Sequence, residues 1–492
     1  MTLWIVFAAY FVALLVLGEV FGRLKIESLD DYLLSGREHG VAVTSASLIA
    51  TVIGAGSTLG SAAVAYYVGV SAGWYLFSAG PGLLLLAYTI APRMRDLSVY
   101  TVPGYVQHRY GRRAGLVSAV LGLLAIVLFL SAQFYAMGSL VAELTALDLR
   151  PAIGLSALVV MTYTLRGGNW AVHWSDTVQV VLIVAGVAVT VGFLWSRVGG
   201  AGAFADPPSA AGFEEIGRRW FHPISKNPVD GFDPVALGNM VTAWVVMSTT
   251  WHFAMQSTAQ RILSSRDSGV VRRSCVIAAI ATLPLGVLFA LTGMGARMLL
   301  PDLPAPGTME VLEQVRALPA LVAELLAPGW AGLVIAALVA VLMSTCDSAL
   351  LGATTLVSKD LGPRLRGGGE ETERTSTEEV EHSRRWTGGI GLLGLAGALV
   401  APGLVQTLEV VAGIYTVALF GPLVAGHVWK RASGAGALSS MAASGVTALV
   451  WRITPLESTT GVHMLNVTLP VALIALVVGS WIVPRRDPET AG

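Results

Sequence analysis

The sequence predicts an all-α integral membrane protein of about thirteen membrane-crossing helices, with two similarly built halves at its centre. Three observations carry this. Of 492 residues, 54% are hydrophobic and only 13% charged, about half the roughly 25% charge of a soluble domain. Thirteen apolar runs recur along the chain, on the scale of the roughly 20 helical residues that cross a bilayer core about 30 Å thick. Two of these runs, five apart in order, are interrupted near their middles by small or polar residues, where lipid tolerates irregular backbone only if it faces protein or a water-filled cavity.

The runs are 2–22, 42–70, 72–92, 114–140, 150–165, 174–196, 236–260, 272–297, 329–358, 386–404, 407–429, 433–452 and 464–483, numbered here as spans 1 to 13. Span 1 follows no basic segment and no small-residue cleavage pattern, so it reads as a retained helix. Spans 2 and 9 are too long for a straight crossing and should tilt or break. Of the 31 Lys and Arg, 23 fall in one set of alternating loops and 8 in the other. That bias puts the richer set inside, the N-terminus outside and the C-terminus in the cytoplasm of a cell-membrane protein. Cys275 and Cys346 lie in apolar stretches, which argues against disulfides or thiolate metal sites. Net charge is zero, so nothing points to nucleic acid. The chain carries no P-loop motif and no evident nucleophile–base arrangement, so neither an ATP-driven pump nor an enzyme is expected. No organic cofactor or obligate protein partner is indicated; the expected partners are the lipid bilayer and a small solute.

Span 2 contains Gly54-Ala55-Gly56-Ser57-Thr58-Leu59-Gly60, and span 7 contains Ser248-Thr249-Thr250-Trp251-His252 followed by Met255 and Gln256. Small residues also serve close helix packing, but interrupted helices at matching places in two halves point to an inverted-repeat transporter with a midplane site. The division is then 1–41 as first helix and loop, 42–196 as repeat one, 197–235 as an external loop, 236–429 as repeat two, and 430–492 as peripheral helices and tail. Residues 360–385 are charged and poor in apolar side chains, and read as a disordered cytoplasmic linker. Span 9 carries Met343-Ser344-Thr345-Cys346-Asp347-Ser348. Hydroxyls at 344 and 348 share a helix face. They either bond back to carbonyls of their own helix or, with carbonyls freed by a break, offer hard oxygens to a small cation. A carboxylate within a span, Asp347 or Asp176, is a functional candidate by default; Asp347 has the alternative of a cytoplasmic helix end and an arginine partner.

Five stretches carry a resemblance: DDYLLSGR at 30–37, YTLRGGNWAVHWSDTVQ at 163–179, QRILSSRD at 260–267, MSTCDSALLGATT at 343–355 and GPLVAGHVWKRASGAGAL at 421–438. Together the chain resembles the sodium/solute symporter family of proline, pantothenate, choline and sugar carriers, from Asp30 to about Leu438. The resemblance implies a leucine-transporter-like five-plus-five inverted-repeat core and transport driven by a co-transported sodium ion. It implies a sodium site from backbone oxygens of Ala50, Ile53 and Val341 and the hydroxyls of Ser344 and Thr345. Asp176, with Asp347 and Ser348, is a candidate for a second sodium or a proton. The solute is expected between spans 2, 4, 7 and 11, against Val52, Gly56, Ser57, Gln133, Trp251, His252, Met255 and Gln256. Sugar carriers place acidic and amide groups where this chain has Gly56 and Ser57, so an amino acid, carboxylate or quaternary amine is expected before a sugar. Proton coupling through Asp347, Asp176 or His252, and a sensor that binds without transporting, remain open.

Overall fold

A computed structural model describes residues 2–54, 56–145, 147–200, 202, 204, 234–300, 317–365, 375–400 and 410–484. Helix occupies all thirteen expected runs over these residues, and no strand longer than a single bridge occurs among them. The principal helices are α1 (Thr2–Leu24), α2 (Leu29–Leu34), α3 (Val41–Val52), α4 (Ser61–Val68), α5 (Ala79–Tyr88), α6 (Ile90–Asp96), α7 (Val102–Tyr110), α8 (Arg112–Thr145) and α9 (Leu149–Val198). They continue with α10 (Pro234–Ala254), α11 (Gln256–Leu263), α12 (Ser268–Leu299), α13 (Ala317–Leu325), α14 (Pro328–Leu356), α15 (Ser376–Val400), α16 (Val417–Val428), α17 (Gly434–Ile453) and α18 (Met464–Ile482). Among the described residues seven helices are long and apolar enough to cross a membrane, eight if the bent pair Val41–Val52 and Gly56–Tyr66 counts as one.

Local chemistry sets many of the boundaries. Ser28 caps α2 through a reciprocal box with Asp31, whose carboxylate accepts from Ser28 N at 2.9 Å. Asp267 caps α12, accepting from Val270 N at 2.8 Å. Helix α7, which the hydropathy pattern did not foreshadow, starts at Thr101 with Pro103 in its first turn. On the outer face large aliphatics stay uncovered, among them Leu158, Val181, Ile280 and Leu392, each 61% exposed or more. Such a belt suits lipid rather than water.

Two expectations are corrected, and a third falls largely outside the described residues. Spans 5 and 6 are not separated by a loop: both lie in α9, which is broken at Gly168 (φ 52°, ψ −150°). A Cβ there would meet Tyr32 Cδ2 at 2.6 Å and Tyr32 O at 2.7 Å, so only glycine fits. Residues 360–385 are not a structureless linker where they are described: residues 360–365 are helical and Ser376–Arg385 open α15. The reason is a helix start that low hydropathy conceals, since Thr375 N donates to Glu378 Oε2 at 3.0 Å and Glu378 N to Thr375 Oγ1 at 3.4 Å. The expected external loop 197–235 and residues 366–374 lie largely outside the described residues.

The two interruptions are present. Helix α3 ends at Ile53 (φ −85°, ψ 92°), a π-turn follows at Gly56–Gly60, and the two parts are bent by 61°. Met255 (φ −70°, ψ 128°) separates α10 from α11. Lipid could not satisfy the carbonyl freed at the second break; the Tyr415 hydroxyl donates to Ala254 O at 3.1 Å. At the far end of α3 a short bridge ties the two interrupted elements together: His39 N donates to Ser264 O at 3.2 Å and Arg266 N to His39 O at 2.9 Å.

Candidate functional site

At the first break, the Gly54 amide donates to Ser57 Oγ at 2.7 Å. In a continuous helix it would have bonded to Ala50 O, so that carbonyl is released from the ladder. Ser57 Oγ lies 2.9 Å from Val52 O, and Thr58 Oγ1 donates to Gly54 O at 2.8 Å. The two hydroxyls therefore hold the break open from within. Helix α14 passes beside it. Ser344 Oγ donates to Val341 O at 2.8 Å and Thr345 Oγ1 to the same oxygen at 3.1 Å. A Cβ built on Gly54 would sit 3.5 Å from Thr345 Oγ1. Ala50, Ile53, Val341, Ser344 and Thr345 are all buried. The Ser344 and Thr345 hydroxyls thus make the back-bonds to carbonyls of their own helix that were one of the two alternatives, as does Ser348 to Ser344 O; the same bonds bring three oxygens of α14 together, with Thr345 against the break. These are neutral, hard oxygens, the donor type that suits an alkali cation.

A cavity of about 90 Å³ adjoins this place. Six of the eight expected solute residues line it: Val52, Gly56, Ser57, Gln133, Trp251 and His252. The other two do not. Gln256 is fully buried on another side of α11, where its Oε1 accepts from Val102 N at 3.0 Å and its Nε2 donates to Tyr100 O at 2.9 Å. It ties α11 to the start of α7. Met255 forms the break itself and is also fully buried. Among the described residues span 11 adds no lining residue; span 3 does, through Tyr75 and Ala79. A Cβ at Gly56 would lie 2.5 Å from the Tyr75 hydroxyl, so glycine at 56 is what admits the tyrosine. Phe129 packs edge-on to Trp251, centroids 4.9 Å apart. Tyr75 and Phe129 carry no sequence signal that separates them from ordinary apolar-span aromatics.

Asp176 and Asp347 meet in a buried polar network beyond α14. Arg261 Nη2 donates to Asp176 Oδ2 at 2.8 Å, and Ser47 Oγ donates to the same oxygen at 2.5 Å. The same guanidinium nitrogen donates to Ser348 Oγ, which in turn lies 3.0 Å from Asp347 Oδ1. Tyr163 Oη donates to Asp347 Oδ2. Asp347 is therefore central and fully buried, not at a cytoplasmic helix end against an arginine. Sequence reasoning missed Arg261, although its position in the QRILSSRD stretch of an apolar region marks it as a buried cation in need of an anion. Asn169, which follows Gly167 and Gly168, donates through Nδ2 to Ser264 Oγ at 2.7 Å.

Comparison with known proteins fits this geometry. The family model described as Sodium:solute symporter family matches residues 32–444. The Sodium/pantothenate symporter of Escherichia coli (strain K12) is 28% identical over 461 residues, covering 92% of this chain and 90% of that protein. The Sodium/glucose cotransporter of Vibrio parahaemolyticus is 26% identical over 513 residues, covering 98% and 91%. Sodium/glucose cotransporter 2 of Rattus norvegicus is 28% identical over 396 residues, but the chain covers only 58% of its length, and the other mammalian glucose and inositol carriers it matches are spanned to a similar extent. Among solved structures, a Na+-coupled sialic acid symporter in a substrate-bound outward-open state superposes with TM-score 0.80 at 19% identity over 99% of both chains. MhsT in complex with L-phenylalanine superposes at TM-score 0.54 and 11% identity, covering 89% of this chain and 97% of the other. The helical fold is shared with these solved structures, and the chain belongs to the sodium:solute symporter family.

Proposed function

We propose that this protein is a sodium-coupled secondary active symporter of a small organic solute that works by alternating access. One observation carries the reading: the hydroxyls of Ser344 and Thr345 each lie within 3.1 Å of the carbonyl oxygen of Val341, and Thr345 packs against the break at Gly54. In this reading Ala50 O and Ile53 O complete the sodium site. Sodium entering from outside draws the break of span 2 onto α14, which shapes the adjoining cavity for the solute. Occupation of both sites favours closure on that side and release to the cytoplasm. Residues 42–196 and 236–429 are the two repeats, the N-terminus lies outside and the C-terminus inside the cell membrane. Moving one charge through 100 mV supplies about 2.3 kcal/mol, and a tenfold sodium gradient about 1.4 kcal/mol more. One sodium then sustains a solute gradient of several hundredfold.

The test is sodium-driven uptake into proteoliposomes. Ser344→Ala and Thr345→Ala are each expected to raise the sodium concentration for half-maximal uptake about tenfold or more, the loss of roughly 1.4 kcal/mol from one oxygen ligand. Unchanged sodium dependence in both variants would refute the assignment. Proton coupling is the second reading, favoured by the burial of the Asp176 and Asp347 carboxylates in one network, where Arg261 meets Asp176 directly and reaches Asp347 only through the Ser348 hydroxyl. Uptake driven by a pH gradient alone in sodium-free buffer would decide for it.

A further inference from the structure

The cavity beside the proposed sodium site has unmatched polar chemistry on two of its walls. Gln133, on α8, is 2% exposed, and its Oε1 has no hydrogen-bond partner among the described residues. His252, on α10, is 4% exposed, and its Nδ1 is likewise unpartnered among them. Both residues line the cavity. A buried polar atom without a partner is costly to keep, and a ligand that pairs with it recovers that cost. No Asp, Glu, Lys or Arg is among the described lining residues, and the cation of α11, Arg261, is already closed on Asp176. No side chain would counter a formal charge on the solute, and the proposed sodium beside the cavity could offset only an anion, so a cationic solute is strongly unfavourable.

These facts discriminate between solute chemistries. Whichever way the terminal amide of Gln133 is turned, it presents one donor nitrogen and one acceptor oxygen. A carboxylate only accepts, so it leaves the acceptor unpaired. A quaternary ammonium has no N–H and pairs with neither, whatever the Trp251 ring offers it. A polyol pairs with Gln133 but brings a hydroxyl on every carbon to walls that include Val52, Ala79, Phe129, Met247 and Trp251. An amide or ureido edge has N–H and C=O side by side and an apolar remainder. A cavity of about 90 Å³ has room for about six to nine non-hydrogen atoms, at 10–15 Å³ for each water-sized site.

We propose that the solute is an uncharged amide or ureido compound of that size, its N–H and C=O paired with the Gln133 amide and a second polar group on His252 Nδ1. This rests on the symporter reading of the same cavity and replaces the amino acid, carboxylate or quaternary amine that the sequence suggested as its solute. The experiment is thermal denaturation of the purified full chain in detergent, in sodium and then in potassium, with butyramide, propylurea, butyrate, trimethylglycine and erythritol as probes. Butyramide and propylurea are expected to raise the midpoint, in sodium only. Gln133→Leu should weaken the propylurea response at least tenfold. Gln133→Glu, which keeps the side-chain shape, should lose that response and acquire one to butylamine. A larger shift with butyrate, trimethylglycine or erythritol, no shift with either amide, or an unchanged response in both Gln133 variants overturns the proposal. The sodium reading fails separately: if Ser344→Ala retains the sodium requirement of the propylurea shift, the cation site is misplaced while the solute class stands.

Discussion

Removing the guanidinium of Arg261 tests the buried network most directly. The Arg261 and Asp176 side chains are 1% and 0% exposed, with Nη2 and Oδ2 2.8 Å apart. At an effective dielectric of 20 that separation corresponds to about 6 kcal/mol of attraction. Desolvation of each ion takes back several kcal/mol, so the pair adds little net stability. Breaking it is another matter. Arg261→Met leaves Asp176 ionised and buried with only Ser47 Oγ at 2.5 Å, and also removes the donor to Ser257 O at 3.0 Å. The expected loss is about 3–5 kcal/mol, and Asp176→Asn, which strands the cation, should cost a similar amount. The double variant removes both members of the pair, leaves Asp347 on its Tyr163 and Ser348 hydroxyls, and should lose no more than either single one. The assay is equilibrium denaturation of the four proteins in one detergent, read as a double-mutant cycle. Additive losses, or an Arg261→Met protein as stable as the parent, would show that the two residues are not energetically coupled and that the network has been misread.

Three further outcomes are expected. Trp251→Ala should weaken solute binding more than sodium binding, because the indole lines the cavity beside Phe129 and is absent from the proposed cation ligands; equal losses in a binding titration of both ligands would remove it from the solute site. Gly168→Ala should destabilise by about 2–5 kcal/mol, from a backbone conformation reserved for glycine and from overpacking onto Tyr32, and a melting temperature within a degree of the parent would contradict the break in α9. Burial pushes the His39 imidazole, in the loop before α3, from 6.5 down to about 4. Between those values the unfolded chain binds the proton and the folded chain does not. His39 thus contributes stability that is complete above pH 6.5 and lost as pH falls towards 4, in total roughly 3 kcal/mol. His39→Gln should flatten the stability profile over that window, and an equally steep profile would count against a buried neutral ring.

Hydropathy is a local property, and what is local was legible. The thirteen apolar runs, the poor helix formers at Gly54–Gly60 and the oxygen-rich turn at Ser344–Thr345 could be read because each depends only on neighbours along the chain. The same logic found both interruptions in the right spans. It overlooked α7 and the start of α15, where capping by Thr101 and by Thr375 with Glu378 builds helices out of polar sequence.

Which way a side chain turns was not legible, because rotation of a helix about its axis is set by the surfaces packed against it. Gln256 looked like a solute ligand beside His252, yet the break at Met255 turns it to bond with Tyr100 and Val102, some 154 to 156 positions away. The counter-ion of Asp176 lies 85 residues along the chain, and the hydroxyl held by Asp347 lies 184 residues back. Composition and periodicity determined that this is a bundle of membrane helices interrupted at two matching points. Only the packed structure decided which polar groups satisfy one another and which, like Gln133 Oε1 and His252 Nδ1, are left without a partner among the described residues, because pairing a buried dipole depends on distance in space and not on distance in sequence.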